Sequence, residues 1–336
     1  MEEGNSNGTI GSSEGKLRLC HQFIVTYYWN EAADGAHRVT NMILVPILII
    51  LAVFGVALNS LLILAYAKNS RLRTVPSMMM VALACSDLLI SLLVDPVYAA
   101  KLVLEILGTS CCPLWIACRL ITYFCCGVSF LTIPIMSIER FITLAYPYRH
   151  QTILTRPRLR LVVIMTWLTL FLLVISHLRL VPDSILLIIG ALLNFTGLAI
   201  VISIWIWIHR LLRKHKKAIQ TMQTPSDDQS RSNTKQVFRN TKTSYIVVTS
   251  VLLCYVPALM AMVYFAVSDS VSQTMTFVVD PWAEALMFSN AVINPLLVIY
   301  WHRDFRLGVR QCLPNWCGPP LESRVFQITT TQQFTK

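Results

Sequence analysis

Polar side chains inside long apolar runs are the first candidates for chemistry in this chain. Asp87 lies midway along one such run, in Leu83-Ala84-Cys85-Ser86-Asp87-Leu88-Leu89. Asn59 is central in an earlier run, Ser129 lies in a later one, and Asn290 and Asn294 stand one turn apart in the last. Hydrocarbon penalises a carboxylate or an amide that meets no partner. One carboxylate, three amides and a hydroxyl at similar depth are expected to form one buried cluster. Such oxygen ligands suit a hydrated monovalent cation, a structural sodium ion; the alternative is a hydrogen-bonded network without an ion.

Two further patterns read as moving parts. Asn294-Pro295-Leu296-Leu297-Val298-Ile299-Tyr300 puts a helix-breaking proline at membrane depth, where no water satisfies the carbonyls that proline frees. It reads as an irregular helix inside a bundle, a switching element rather than an anchor. Glu139-Arg140-Phe141 closes another run. Arg140 there can pair with Glu139 in one state and with carbonyls or a partner in another; the alternative is an arginine that snorkels to the interface.

These residues need a membrane-spanning scaffold. Of 336 residues, 55% are hydrophobic and 13% charged, against about 25% charged in a soluble domain. Seven apolar runs can be read, near 42–67, 76–103, 113–145, 161–180, 184–208, 244–267 and 281–301, each close to the ~20 residues that cross the hydrocarbon core. The fold class expected is all-α: a seven-helix membrane bundle with a short amphipathic eighth helix. The organisation expected is a tail over 1–41, the bundle over 42–301, the amphipathic helix over 302–312 and a second tail over 313–336. No secretory signal is read ahead of the first run.

The formal net charge of +11 does not mark a nucleic-acid partner, because most of the 28 Lys and Arg fall in connections on one side of the runs. Lys68, Arg71 and Arg73, then Arg149 to Arg160, then Arg210 to Lys242, then Arg303 to Arg310 define that side. The positive-inside rule makes it cytoplasmic and puts the N-terminus outside a plasma membrane. Asn7-Gly8-Thr9 then offers a glycosylation site, and Cys312 and Cys317 follow the amphipathic helix as candidates for palmitoylation.

Taken together, these motifs identify the chain as similar to the rhodopsin-like (class A) G-protein-coupled receptors. Asn59, Leu83 to Leu88, Glu139-Arg140-Phe141, Ala145-Tyr146-Pro147, Trp167, Cys254-Tyr255-Val256-Pro257, Asn294-Pro295 and Asp304-Phe305-Arg306 match the family in order, over about 42–310. The resemblance implies coupling to a heterotrimeric G protein, with arrestin and a receptor kinase as further partners beside the lipid bilayer. It also implies a switch made of Glu139, Arg140, Tyr255, Pro257, Asn294, Pro295 and Tyr300. The chain departs from the pattern in several places. Val298 stands where the family has its last-helix tyrosine, and Tyr300 is two residues, about 200° of helix, further on. Tyr255 replaces a tryptophan, Phe141 a tyrosine, and Val237, Phe238 and Arg239 supply no acid for Arg140.

The family's bridge between the third helix and the second outer loop cannot form, because 181–184 lacks cysteine. Cys20 pairing with Cys111 or Cys112 remains open, with Cys118 near the same side. The short outer loop and the absence of proline in the fifth run resemble the melanocortin, lysolipid, cannabinoid and adenosine receptors. An outer cavity is expected from Asp95, Tyr98, Arg119, Thr122, Tyr123, Cys126, Tyr255, Glu284 and Met287. Arg119 suits a ligand carboxylate or phosphate, or an internal pairing with Glu284 or Asp95. Thr122 replaces the acid of amine receptors and Phe288 the lysine of opsins, which argues against a monoamine and against retinal. No metal site beyond the sodium ion and no enzyme motif is read. The rival readings are a small transporter or channel, with Asp87 at its ion site, and a receptor that signals through arrestin alone or not at all.

Overall fold

In the computed structural model, residues 9–12, 15–22, 25–30, 35–109, 111–146, 149–176, 183–221, 246, 248–250, 252–265, 267–268 and 272–312 are described. Apolar sequence runs become helices because, without water, only a helix satisfies every backbone group within one segment. The helices are α1 (Gly35–Lys68), α2 (Val75–Ile106), α3 (Cys112–Ala145), α4 (Arg156–Ser176), α5 (Asp183–Thr221), α6 (Val248–Phe265), α7 (Met275–Trp301) and α8 (Arg303–Cys312). Seven of them contain stretches long and apolar enough to cross a membrane, so the chain is a multi-pass membrane protein.

Local chemistry sets the boundaries. Thr74 caps α2, its hydroxyl accepting the Ser77 N–H at 3.3 Å, and Pro76 sits in the first turn. The helix stops at Gly108, whose φ of 67° suits glycine, with the Thr109 N–H returned to the Leu104 carbonyl at 2.9 Å. An extended His302 separates α7 from α8. The α8 helix then lays Phe305 and Val309 into the bundle. A Cβ at Gly308 would stand 3.0 Å from the Leu72 Cδ1 and 3.3 Å from the Ala65 Cβ, so glycine lets α8 approach α1 closely.

Helix α3 is central, packing against α2, α4 and α5, while α1 packs against α2, α7 and α8. Ile49, Ile50, Val53 and Phe54 of α1 and Leu161, Ile164 and Met165 of α4 face outward, as suits hydrocarbon.

Three features differ from the sequence expectation. A three-stranded antiparallel sheet precedes the bundle: β1 (Thr9–Ser12) pairs with β2 (Gly15–Gln22), and β2 with β3 (Val25–Asn30). The seven-helix bundle expected from the sequence stands, with this small sheet in the tail ahead of it. Helix α1 starts seven positions before residue 42, because His37 and Asn41 are buried on its inner face and reward the extra turns. Helix α7 starts at Met275 rather than 281, because Pro281 is accommodated within a continuing helix that opens with a π turn over Met275–Val279. Asn7, Cys317 and Val237 to Arg239 lie outside the described residues.

Candidate functional site

The buried polar cluster forms around Asp87. Its Oδ1 accepts the Ser129 hydroxyl at 2.8 Å and its Oδ2 accepts the Asn294 amide at 2.8 Å. That joins α2, α3 and α7 through one carboxylate. The Asn59 amide donates to the Ala291 carbonyl at 2.8 Å and the Gly55 carbonyl at 2.9 Å, tying α1 to α7. The carbonyl relieved at Ala291 lies one turn before Pro295, where α7 is otherwise weakest. Asn59, Asp87, Ser129 and Asn290 are fully buried and Asn294 nearly so.

The Asn59 and Asn294 amide nitrogens donate in these bonds, while Asn59 Oδ1 and Asn294 Oδ1 take no hydrogen bond from the described residues. The Asp87 carboxylate with the Ser129 hydroxyl and the unused Asn294 Oδ1 beside it matches oxygen ligands that a sodium ion takes, so these residues fit the ion. Asn290 joins none of these bonds: both its amide atoms are buried and without a described partner.

At the other end of α3, Arg140 Nε lies 3.3 Å from Glu139 Oε2, and both side chains are buried. Thr143 donates to Glu139 Oε1 at 3.2 Å, which fixes the acid. Phe141 packs on Trp207 of α5, ring centroids 4.5 Å apart, a contact that needs no phenolic hydroxyl. The acid paired with Arg140 among the described residues is thus its own neighbour.

Thr122 and Arg140, five turns apart, are buried along one face of α3. At the Thr122 end lies a cavity of about 210 Å³ between α3, α4, α5, α6 and α7. Thr122, Tyr123, Cys126, Tyr255, Glu284 and Met287 line it. Asp95, Tyr98 and Arg119 do not. Asp95 is fully buried deeper in α2, Tyr98 packs edge-on against Phe288 at 5.3 Å, and Arg119 donates to the Tyr123 hydroxyl at 3.0 Å. Lys101 sits over the Tyr98 and Trp115 rings at 4.6 and 4.9 Å.

Sequence reading missed two sets of residues. Asp280 lines the cavity, and starting the last span at Pro281 had left it in a loop. The signal was present, since Asp280 stands four residues before Glu284, one turn along a helix. The second set is His37, Asn41 and Glu105. Glu105 Oε2 accepts the Asn41 amide at 2.7 Å and lies 3.2 Å from His37 Nε2, and the His37 ring meets Phe277 at 4.9 Å. This set joins the Thr122-side ends of α1, α2 and α7.

Tyr255 links cavity and switch. Its ring borders the cavity and packs on Phe130 at 5.3 Å, and its hydroxyl donates to the Cys126 carbonyl of α3 at 3.2 Å. Pro257 follows two residues later in α6 and Pro295 stands in α7. Tyr300 is corrected: it is 68% exposed, edge-on to Trp301 at 5.2 Å on the outer face of α7, and cannot act inside the bundle. Val298 holds the inward position and is buried.

The adjacent thiols are resolved: Cys112 is disulfide-bonded, whereas Cys111 and Cys118 are free, Cys118 buried within α3. The side chain of Cys20, on β2, lies outside those described. Cys312 is free and half-buried at the end of α8.

Comparison with known proteins agrees with this geometry. The family model described as "7 transmembrane receptor (rhodopsin family)" matches residues 58–183. The alpha-1A adrenergic receptor of Oryzias latipes is 24% identical over 85% of this chain and 69% of its own length. The human histamine H2 receptor is 25% identical over 88% of this chain and 87% of its own. The alpha-1A adrenergic receptor of Canis lupus familiaris is 35% identical over a shorter stretch, 35% of this chain and 39% of its own. These matches support a rhodopsin-like (class A) G-protein-coupled receptor.

Proposed function

We propose that this receptor sits in the plasma membrane with the Thr122 end outside and the Arg140 end in the cytoplasm. It would respond to a largely apolar ligand that carries a cationic group at one end. The observation that carries the reading is the cavity wall. Apolar residues such as Phe130, Leu131, Leu170, Leu259 and Met262 make up most of it, and Asp280 and Glu284 are the charged side chains among its described lining. An apolar body gains from leaving water for such a wall, and a cation from meeting carboxylates in a low dielectric.

Relatives are named for adrenergic ligands and histamine. Here the third helix offers Thr122, so the cationic end would lie against α7 instead, and a small monoamine anchored on α3 is disfavoured. Ligand against Tyr255 would shift α6 relative to α3 at the Tyr255–Cys126 contact. Movement of α6 would open the crevice beside Arg140, which would exchange Glu139 for a carbonyl-rich helix end of the G-protein α-subunit. Basic side chains of the cytoplasmic connections favour that encounter. Arrestin and a receptor kinase would act on the same face. A sodium ion at Asp87, held with Asn59, Asn294 and Ser129, would supply positive charge to the resting cluster. Glycosylation at Asn7 and acylation of Cys312 and Cys317 complete the reading.

A library of amphiphilic cations, anions and neutral lipids, read by nucleotide exchange on purified receptor with a panel of G proteins, tests it. Cationic hits should lose at least tenfold potency in Glu284→Gln and Asp280→Asn. Anionic or neutral hits unaffected by either substitution would refute the ligand class. A receptor that never drives exchange on any G protein would return the arrestin-only reading.

A further inference from the structure

His37, Asn41 and Glu105 are a buried polar set that neither the ligand cavity nor the Arg140 switch uses. His37 stands in the first turn of α1, Asn41 one turn further on, and Glu105 in the last turn of α2. All three are buried. One carboxylate oxygen joins them: Glu105 Oε2 accepts the Asn41 amide at 2.7 Å and lies 3.2 Å from His37 Nε2. His37 Nδ1 has no described partner, so the polar contacts of the ring are made at Nε2. His37 is the base paired with Glu105 among the described residues.

The charge of His37 decides how well this arrangement holds. A bare Nε2 would set its lone pair against the carboxylate. A neutral ring with its proton on Nε2 makes an ordinary hydrogen bond. An imidazolium makes the same bond with full charge, which is about twice as strong and compensates a buried carboxylate. The ring also meets Phe277 at 4.9 Å, tilted by 38°, and a cationic ring gains from an aromatic face. Along these helices, the charged groups nearest in sequence are Arg38, Lys101 and Asp280. Arg38 is exposed beside His37, Lys101 holds its ammonium over the Tyr98 and Trp115 rings one turn before Glu105, and Asp280 follows Phe277 on α7. Phe277 lies in the π turn Met275–Val279, and Asp280, the next residue after that turn, lines the cavity.

We propose that His37, Asn41 and Glu105 form an acid-responsive clasp. Protonation of His37 tightens the joint between α1, α2 and the start of α7, and so couples external acidity to the turn that carries Asp280. The word external rests on the orientation proposed above, and the consequence for a ligand rests on the cavity reading. The clasp itself rests on neither.

The test needs neither ligand nor G protein. Thermal unfolding of purified receptor is followed from about pH 5 to about pH 8, the range in which histidine changes charge. Wild type, His37→Gln, Glu105→Gln and the double variant form a cycle that isolates the pair from other titrating groups. The proton makes a bond in the folded clasp that it loses on unfolding. The stabilisation is therefore present at acidic pH and lost as the pH rises. The lead of wild type over His37→Gln should be about 3 °C larger at the acidic end than near pH 8. In the Glu105→Gln background that pH dependence should vanish. Arg38→Gln, which removes an exposed charge one residue away, should respond as wild type. Phe277→Leu should lose part of the acid gain; an unchanged gain refutes the link to α7. A lead that is equal at every pH, or whose pH dependence persists without Glu105, overturns the proposal. If Glu105→Gln does not fold, the pH dependence of the His37→Gln lead decides alone. The cationic-ligand reading stands or falls separately, on the ligand library.

Discussion

The two sides of this bundle are built differently. Helices α1, α2 and α7 are stitched together, with α3, by buried polar contacts: Asn59 to Ala291, Asp87 to Asn294 and Ser129, and Glu105 to Asn41. Helices α4, α5 and α6 meet α3 mainly through apolar side chains and rings, and Tyr255 of α6 adds a hydrogen bond to the Cys126 carbonyl. The first side has directional bonds that break all at once. The second has non-directional packing that can slide at small cost. A ligand cavity placed on the second side, bordered by α7 of the first, can move α6 while the frame stays fixed.

Substitutions should separate the two sides. Asn294→Leu should have the largest effect, because it strips the Asp87 carboxylate of a charged hydrogen bond in the frame. A loss of about 3 kcal/mol, read as thermal or denaturant stability, is expected. Next comes a matched pair of glycines. Gly55→Ala forces a Cβ into Ser91 and should cost about 2 kcal/mol. Gly190→Ala meets only the Met262 Sδ at 3.7 Å, so it should gain up to about 1 kcal/mol from helix propensity. Equal effects at both positions would break the contrast.

Tyr255→Phe removes the hydroxyl that holds α6 to α3, about 1 kcal/mol. It should raise basal nucleotide exchange several-fold with little change in unfolding. Smallest of all, Tyr300→Ala should leave signalling unchanged, since the side chain faces lipid; a large loss would return Tyr300 to the switch.

The frame was the more legible side. Asn59, Asp87, Ser129 and Asn294 could be grouped from depth alone, because a polar residue in hydrocarbon has few places to go. Seven spans followed from the same apolar signal. Where the signal is weaker, reading failed. The π turns before Asp95 and Asp280 carry no local mark in the sequence, so neither the shift in register after Asp87 nor the start of α7 at Met275 was visible. The sheet over residues 9–30 has alternation too short to rise above a polar tail. Tyr300 misled because its type matched the motif although its spacing did not; 200° of rotation decided the matter, and the exposed ring bears that out. The choice of Cys112 over Cys111 depends on a direction no sequence spacing encodes.

The contrast between a fixed frame and a movable side is tested most directly by distance measurement. Spin labels at Leu64 and Tyr300, both lipid-facing, report on the frame, and labels at Leu64 and Leu253 report across to α6. Binding of a nucleotide-free G protein is expected to lengthen the Leu64–Leu253 distance by several ångströms and to leave Leu64–Tyr300 unchanged. Equal displacement of both pairs, or no displacement of either with the G protein bound, would contradict it.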